Sequence, residues 1–415
     1  MLQELHLQGL GPTESLDMVL GERLNVLTGD NGLGKTFLLD ICWRTMHGVW
    51  AGDRVTSDRS RPSNSIWWRQ RGEPVPKPSS INADGWIHGG GRTKDGPRPL
   101  VVYARYDGGI CVGDPLRGGL LDDGGVHHSG APYRFSVEEL WQGLPLDEPR
   151  KLCNGLLADW ILWQFSPDQQ RFNLFRKVLS HLSESEQMAI VPSDEVARAS
   201  SYDVRPIPTL ATPYGTVPVT QASAAVRRIL GLAYAMVWTW TEHAAHCESV
   251  RRDPCREMLF LLDEVECHLH PFWQRRLLPA LLSLGPLLAD GLDVQYVVST
   301  HSPLVLASLE PHFDETRDKL WTFELDQGKV NFRELPWVRQ GEVANWLTSD
   351  VFDLPSSRSL EAERAILDAS ALMRGEDTDR PVEEVQAALE ASLAQHDRFW
   401  PRWVGFLERT GRDPR

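Results

Sequence analysis

Gly29, Gly34, Lys35 and Thr36 fit the spacing G-x-x-x-x-G-K-[ST] inside the stretch LNVLTGDNGLGKT, Leu24 to Thr36, and that spacing has a physical purpose. Glycines let the backbone curl until successive N–H groups converge on a phosphate. A helix beginning near Lys35 aims its positive end at the same point. Lys35 adds a point charge for the β- and γ-phosphates, and Thr36 offers a hydroxyl to Mg²⁺. Leu24, Val26 and Leu27 read as a short buried strand before the loop, and the apolar TFLLDICWRTM reads as the helix after it. The stretch predicts a site for ATP with Mg²⁺, with Gly29, Asn31, Gly32, Gly34, Lys35 and Thr36 forming the cradle.

Two further stretches suit the same chemistry. MLFLLDEVE places Asp263 and Glu264 after five apolar residues, the pattern of a buried parallel strand ending in two acids. Alternation along that strand predicts side chains on different sides, Asp263 for the metal and Glu264 as general base for water. VQYVV (Val294 to Val298) is a second apolar strand, closed by Ser299, Thr300, His301, Ser302 and Pro303. A histidine at that place can bond a γ-phosphate and register its presence. Ser223 opens SAAVRR, a small-residue turn at a helix start that can present N–H groups and a hydroxyl to phosphate.

These residues need a sheet whose strands end on one side. Strands alternating with helices predict an α/β fold with its ligand at the carboxyl ends of the strands. The expected organisation is an ATPase lobe over 1–135, a helical insertion over 136–200, a second ATPase lobe over 201–345 and a helical tail over 346–415. Leu2 to Leu7 alternate and LDMVL follows, as a small antiparallel set beside the nucleotide strand. Residues 51–98 are rich in Gly, Pro, Ser and Arg and read as a long exposed loop. There Arg54, Arg59, Arg61, Arg69 and Arg71 flank Trp67 and Trp68, which suits either a nucleic-acid backbone with stacked bases or tryptophans packed back on the body. A mostly apolar helix runs from Ala222 to His246, long enough to cross a domain.

Composition narrows the field. A net charge of −14 removes the long-range attraction that a general nucleic-acid coat needs. Six cysteines without C-x-x-C spacing suit a reducing cytoplasm. No apolar run is long enough to span a membrane, and the first residues carry no apolar signal segment. His243, His246 and Cys247, with Cys267, His268 and His270, leave a zinc site open.

Taken in order, GDNGLGKT, SAAVRR, LLDEVECHLHP and VVSTHSP resemble the ABC-type ATPases of the RecF/SMC and OLD-like group. The DE-x-E-x-H-L-H-P form and DVFDLPSSRSLEAE further resemble ATPase subunits of bacterial anti-phage systems, Septu-like and retron-associated. The resemblance covers roughly 1–50 and 210–365. It implies a P-loop ATPase head and a homodimer or higher oligomer in which ATP is sandwiched between Lys35 of one chain and the Ser223 segment of another. It implies His301 as switch histidine, and a sensor or switch role beside a separate effector, a nuclease. The chain departs from the pattern at Ala224 and Ala225, where glycine is usual, and no glutamine follows LVVY closely; Gln142 is distant. No sustained heptads for coiled-coil arms occur, and the residues after DVFDLPSSRS are too few for the nuclease domain of OLD-like proteins. Two alternatives remain: a RecF-like repair ATPase that binds DNA itself, and a nucleotide-gated scaffold with little hydrolysis.

Overall fold

Alternation builds the first layer. In β1 (Leu2–Gln8), Leu2, Leu5 and Leu7 are buried, and a register shift between Leu2 and Glu4 restores the phase of the apolar set. Strand β2 (Ser15–Val19) buries Leu16 and Met18 on the same side. Strand β3 (Leu24–Gly29) is buried on both faces, as a central parallel strand must be, and the phosphate loop joins it to α1 (Lys35–His47). The computed structural model describes residues 1–52, 64–73, 77–82, 85–88, 99–117, 132–147, 149–183, 189–376 and 380–411. They form two compact units, Met1–Arg339 and Gln340–Arg415.

The stretch read as an exposed loop is partly sheet. β4 (Ser65–Gln70) pairs with β1, and β5 (Lys77–Asn82) and β6 (Gly85–His88) extend an antiparallel sheet ordered β2-β1-β4-β5-β6. Strand alternation explains the two tryptophans: Trp68 turns into the core with Ile66, whereas Trp67 is 47% exposed. Arg69 pairs with Glu4, and Arg71 bonds Glu257 and Asp293, so both are committed to the body. Arg54, Arg59 and Arg61 lie outside the described residues.

The chain then makes β7 (Leu100–Ala104), β8 (Ile110–Gly113) and β9 (Tyr133–Phe135). The insertion follows: α2 (Val137–Gln142), the hairpin β10 (Leu144–Asp147) and β11 (Arg150–Cys153), α3 (Leu156–Gln164) and α4 (Gln170–Leu182). It continues into a three-stranded sheet of β12 (Val191–Arg198), β13 (Pro206–Thr212) and β14 (Gly215–Pro218). Apolar spacing marked the helices; the hairpin and β12 lack the periodicity that would have marked them. Helix α5 (Ala224–Ser249) spans about 39 Å.

β15 (Glu257–Leu262) comes next. Three short helices follow, α6 (Pro271–Gln274), α7 (Leu277–Leu282) and α8 (Gly285–Leu288). Pro279 has no N–H for the Arg275 carbonyl and its ring crowds that turn, so the first break falls at Arg275–Arg276. β16 (Asp293–Ser299), α9 (Pro303–Leu309), β17 (Asp318–Asp326) and β18 (Lys329–Leu335) complete the unit. The large sheet is ordered β18-β17-β3-β16-β15-β7-β8-β9, with the run β17 to β7 parallel and the outer strands antiparallel. Helix α1 lies between the two sheets: Leu38, Leu39, Ile41, Cys42 and Trp43 share one core with β1, β2 and β4 and with Leu27, Val101, Leu259, Val297 and Phe323.

The second unit contains α10 (Val343–Leu347), α11 (Leu360–Arg374), α12 (Val382–Ser392) and α13 (Trp400–Arg409). Ser359 caps α11 and Gly375 ends it in the left-handed region. Ala362, Ala365, Ala369, Val385, Leu389 and Trp403 form a core of its own. No helix among the described residues is long and apolar enough to cross a membrane.

One buried amide ties the layers together. Gln295 in β16 is 1% exposed; its Nε2 donates to Leu2 O and Gly21 O at 2.8 Å, and its Oε1 accepts from Leu2 N–H at 2.9 Å. Gln295→Leu strands the buried Leu2 N–H and C=O, and is expected to lower stability by about 3 kcal/mol. Urea unfolding checks this: the midpoint should fall with the slope unchanged.

Candidate nucleotide site

The loop after β3 follows a path that only glycine permits. Gly29 has φ 112°, and a Cβ there would lie 2.0 Å from Phe323 O in β17. Gly34, φ 113°, is pressed against Pro12, and Gly32 has φ 76° with open space around it. Gly34 caps α1 without any side-chain hydrogen bond, which leaves the first N–H groups of α1 for a ligand. Lys35 is 5% exposed, and its Nζ donates to Gly29 O at 2.8 Å and Asp30 O at 2.6 Å. Burial pulls its pKa down to about 8, against the pull of Asp30, Asp263, Glu264 and Glu266. Below pH 8 the buried charge therefore costs about 3 kcal/mol of stability. That cost is relieved as pH rises from 8 toward the ordinary lysine value, where the unfolded chain holds the proton and the folded one does not.

Asp263 follows β15 and is 1% exposed. Its N–H donates to Ala104 O at 2.9 Å, which continues the sheet by one residue. Its Oδ1 accepts from Ser299 Oγ at 2.6 Å, while Oδ2 is buried with no hydrogen-bond partner. Burial raises the Asp263 pKa, and the nearby Ser299 and Thr36 hydroxyls oppose that rise. Thr36 is thus close by, yet makes no hydrogen bond of normal geometry to Oδ2. A buried, unfilled carboxylate oxygen beside a threonine hydroxyl suits a hard divalent cation. These residues fit Mg²⁺.

Glu264 corrects one expectation. Strand alternation does not separate the two acids, because β15 has already ended and Glu264 has φ 47°. A left-handed glutamate is a strained backbone, held here by its N–H donating to Ser299 Oγ at 2.7 Å. Ser299 therefore fixes both acids, donating to one and accepting from the other's backbone.

His301 follows β16. Its N–H donates to Glu266, whose other oxygen accepts from Thr300 Oγ1 at 2.8 Å. Burial, then the Lys35 charge, lower the His301 pKa, which favours the neutral ring. Lys35, Asp263, Glu264 and His301 thus gather at the carboxyl ends of β3, β15 and β16. Ser223 is the exposed N-cap of α5, and its Oγ accepts from Val226 N–H at 3.4 Å. After β7 stand Arg105 and Asp107, and Gln142 is drawn off by Arg205, 2.8 Å from its Oε1.

Ser299 and Glu266 were quoted within motifs but given no role, since their partners are 35 or so residues away. Asp40 and Tyr103 were missed altogether. Asp40 Oδ1 and Tyr103 Oη are buried near each other without a hydrogen bond of normal geometry, and burial raises Asp40 to about 6 against the pull of Arg105 and the Tyr103 hydroxyl. An acid inside the apolar TFLLDICWRTM was the available signal. The zinc reading fails: His243 bonds Asp114 at 3.0 Å and accepts from Cys255 N–H at 2.9 Å, and among the described residues no group of three or more His, Cys, Asp or Glu side chains is placed to hold a metal ion.

A family model described as "AAA domain, putative AbiEii toxin, Type IV TA system" matches residues 213–307, from the end of β13 through α5, β15 and β16 into α9. The Retron Ec83 probable ATPase of Escherichia coli is 27% identical over 96 residues, 23% of this chain and 15% of that protein. The Retron Vc95 probable ATPase of Vibrio cholerae serotype O1 biovar El Tor is 39% identical over 51 residues, 12% of this chain and 9% of that protein. The matches to these two relatives thus span only a small part of their lengths. The Septu protein PtuA of Bacillus thuringiensis is 22% identical over 386 residues, 86% of each chain. Among solved structures, the SMC head domain from Thermotoga maritima has a TM-score of 0.36 at 14% identity, covering 81% of this chain and 99% of that one. The recombination mediator protein RecF has 0.38 at 12%, covering 81% and 98%. By the order of its motifs and these relatives, the chain resembles the ABC-type ATPases, and among them the ATPase subunits of bacterial anti-phage defence systems.

Proposed function

We propose that the chain binds ATP with Mg²⁺ and hydrolyses it slowly, as the nucleotide-driven sensor or switch of a defence system with a separate nuclease effector. The observation that carries this reading is the meeting of Lys35, Asp263, Glu264 and His301 at one sheet edge, with Asp263 Oδ2 left without a partner. The α1 N-terminus and Lys35 hold phosphate; on binding, Nζ exchanges the Gly29 and Asp30 carbonyls for phosphate oxygens. Asp263 and Thr36 hold Mg²⁺, which neutralises phosphate charge when bound. Glu264 takes a proton from the attacking water, and neutral His301 bonds the γ-phosphate. The exposed Ser223 segment is, by the resemblance, the part a second copy supplies in a dimer.

A second reading, a nucleotide-gated scaffold with little turnover, draws on Ala224 and Ala225, whose Cβ atoms limit how closely that backbone approaches a phosphate. Direct DNA binding gains nothing from Arg69 and Arg71, which are already paired within the body.

Turnover and solution mass, measured on the wild type, Lys35→Ala and Glu264→Gln, separate these readings. The switch predicts hydrolysis by the wild type and loss of nucleotide binding in Lys35→Ala. It predicts turnover lowered about 100-fold or more in Glu264→Gln, which ATP drives into a species of doubled mass. Binding without turnover in the wild type, with a mass indifferent to ATP, would overturn it in favour of the scaffold.

Proton linkage gives a further expectation. Phosphate restores a counter-charge to Lys35, so its pKa rises on binding and the complex takes up a proton above pH 8. ATP affinity should fall as pH climbs past 8, by up to about tenfold per pH unit. Calorimetry in buffers of different ionisation enthalpy should show that uptake in the wild type. Its absence would mean that Lys35 does not meet the phosphates.

A further inference from the structure

The two acids after β15 have a strand on each side. On one side is β16, which leads to His301; on the other is β7, which ends at Ala104 and passes the chain to Arg105. Parallel pairing sets Leu262 opposite Ala104, and the bond from Asp263 N–H to Ala104 O carries the ladder one residue further. Arg105 therefore stands level with Asp263. Alternation sends both side chains toward α1, the side on which Leu261 and Tyr103 pack. Thr36 and Asp40, one helical turn apart on α1, meet them there.

The Arg105 side chain is 18% exposed, and its Nε donates to Asp107 at 3.3 Å. Asp107 is exposed and already accepts from Gly109 N–H at 2.8 Å, so it is a weak anchor. Neither Nη makes a hydrogen bond with a described residue. The guanidinium charge still reaches the acids. It opposes the upward shift of Asp263 more strongly than Lys35 does, and it acts on Asp40 as well. Gly52 leaves it room, since a Cβ there would lie 2.5 Å from Nη1. The edge is otherwise rich in negative charge: Asp30, Asp263, Glu264 and Glu266 all act on Lys35. A triphosphate whose terminal group gathers charge as it breaks gains from a cation beside these acids, over and above Lys35. A planar guanidinium suits phosphate oxygens.

We propose that Arg105 is a further catalytic residue of this site, leaving Asp107 to bond the terminal phosphate of ATP held by the same chain. This rests on the ATPase reading above. Water adds to the terminal phosphorus and gives a proton to Glu264. The electron pair of the broken P–O bond goes to the departing ADP oxygen. Arg105 donates to the phosphoryl oxygens throughout and keeps its own protons.

Full-length wild type, Arg105→Ala and Arg105→Lys are to be compared, with Mg²⁺ present, in two assays. One is ATP turnover. The other is calorimetric binding of ADP alone and of ADP with aluminium fluoride, which mimics the phosphoryl group in flight. Arg105→Ala should lose about 100-fold in kcat with KM little changed. It should bind ADP as the wild type does, and hold the fluoride complex at least about tenfold less tightly. Arg105→Lys, which keeps the charge without the fork, should regain part of that affinity. The proposal is overturned by an unchanged kcat or fluoride-complex affinity in Arg105→Ala, by an ADP affinity that falls in the same proportion, or by a lysine no better than alanine. Where the wild type turns over ATP, such a result removes Arg105 alone and leaves the ATPase reading standing; a wild type without turnover removes both.

Discussion

A buried ammonium group, that of Lys35, is the constraint around which the first unit is built. Lys35 is held only by two loop carbonyls and by the field of four acids, and the fold accepts the cost of that burial. A loop this tight cannot support itself. It is braced by β17, whose Phe323 carbonyl occupies the space a Gly29 side chain would need, and by Pro12, which presses on Gly34. Behind it, α1 is sealed between two sheets by Leu38, Leu39, Ile41 and Trp43. A rigid frame is what lets an unfavourable charge stay in one place.

The same economy governs the acids. Asp263 and Glu264 owe their separation to Ser299 on the neighbouring strand, which receives the Glu264 N–H and gives its own proton to Asp263. Parallel pairing of β15 with β16, Leu262 opposite Val298, brings that hydroxyl to the right level. Sheet register is therefore part of the chemistry.

Much of this was legible in the residues. The phosphate loop, the two apolar strands and the long helix each announce themselves locally, through glycine spacing, unbroken apolar runs and helical periodicity. What was not legible depends on partners far away in sequence. Residues 65–70 read as loop because Gly, Pro and Arg surround them, and only pairing with β1 makes Ile66, Trp68 and Gln70 an inward face. The left-handed Glu264 could not be foreseen, since nothing in DEVE marks a strand ending one residue early.

The Glu266 carboxylate receives both the Thr300 hydroxyl and the His301 N–H, while Val265 N–H reaches Ser299 O at 3.2 Å. The loops leaving β15 and β16 are in this way riveted into one plate. A plate cannot flex at one corner, so Glu264 and His301 travel together or stay still. Displacement of these two loops therefore takes the form of a block shifting whole, with its seams outside the plate.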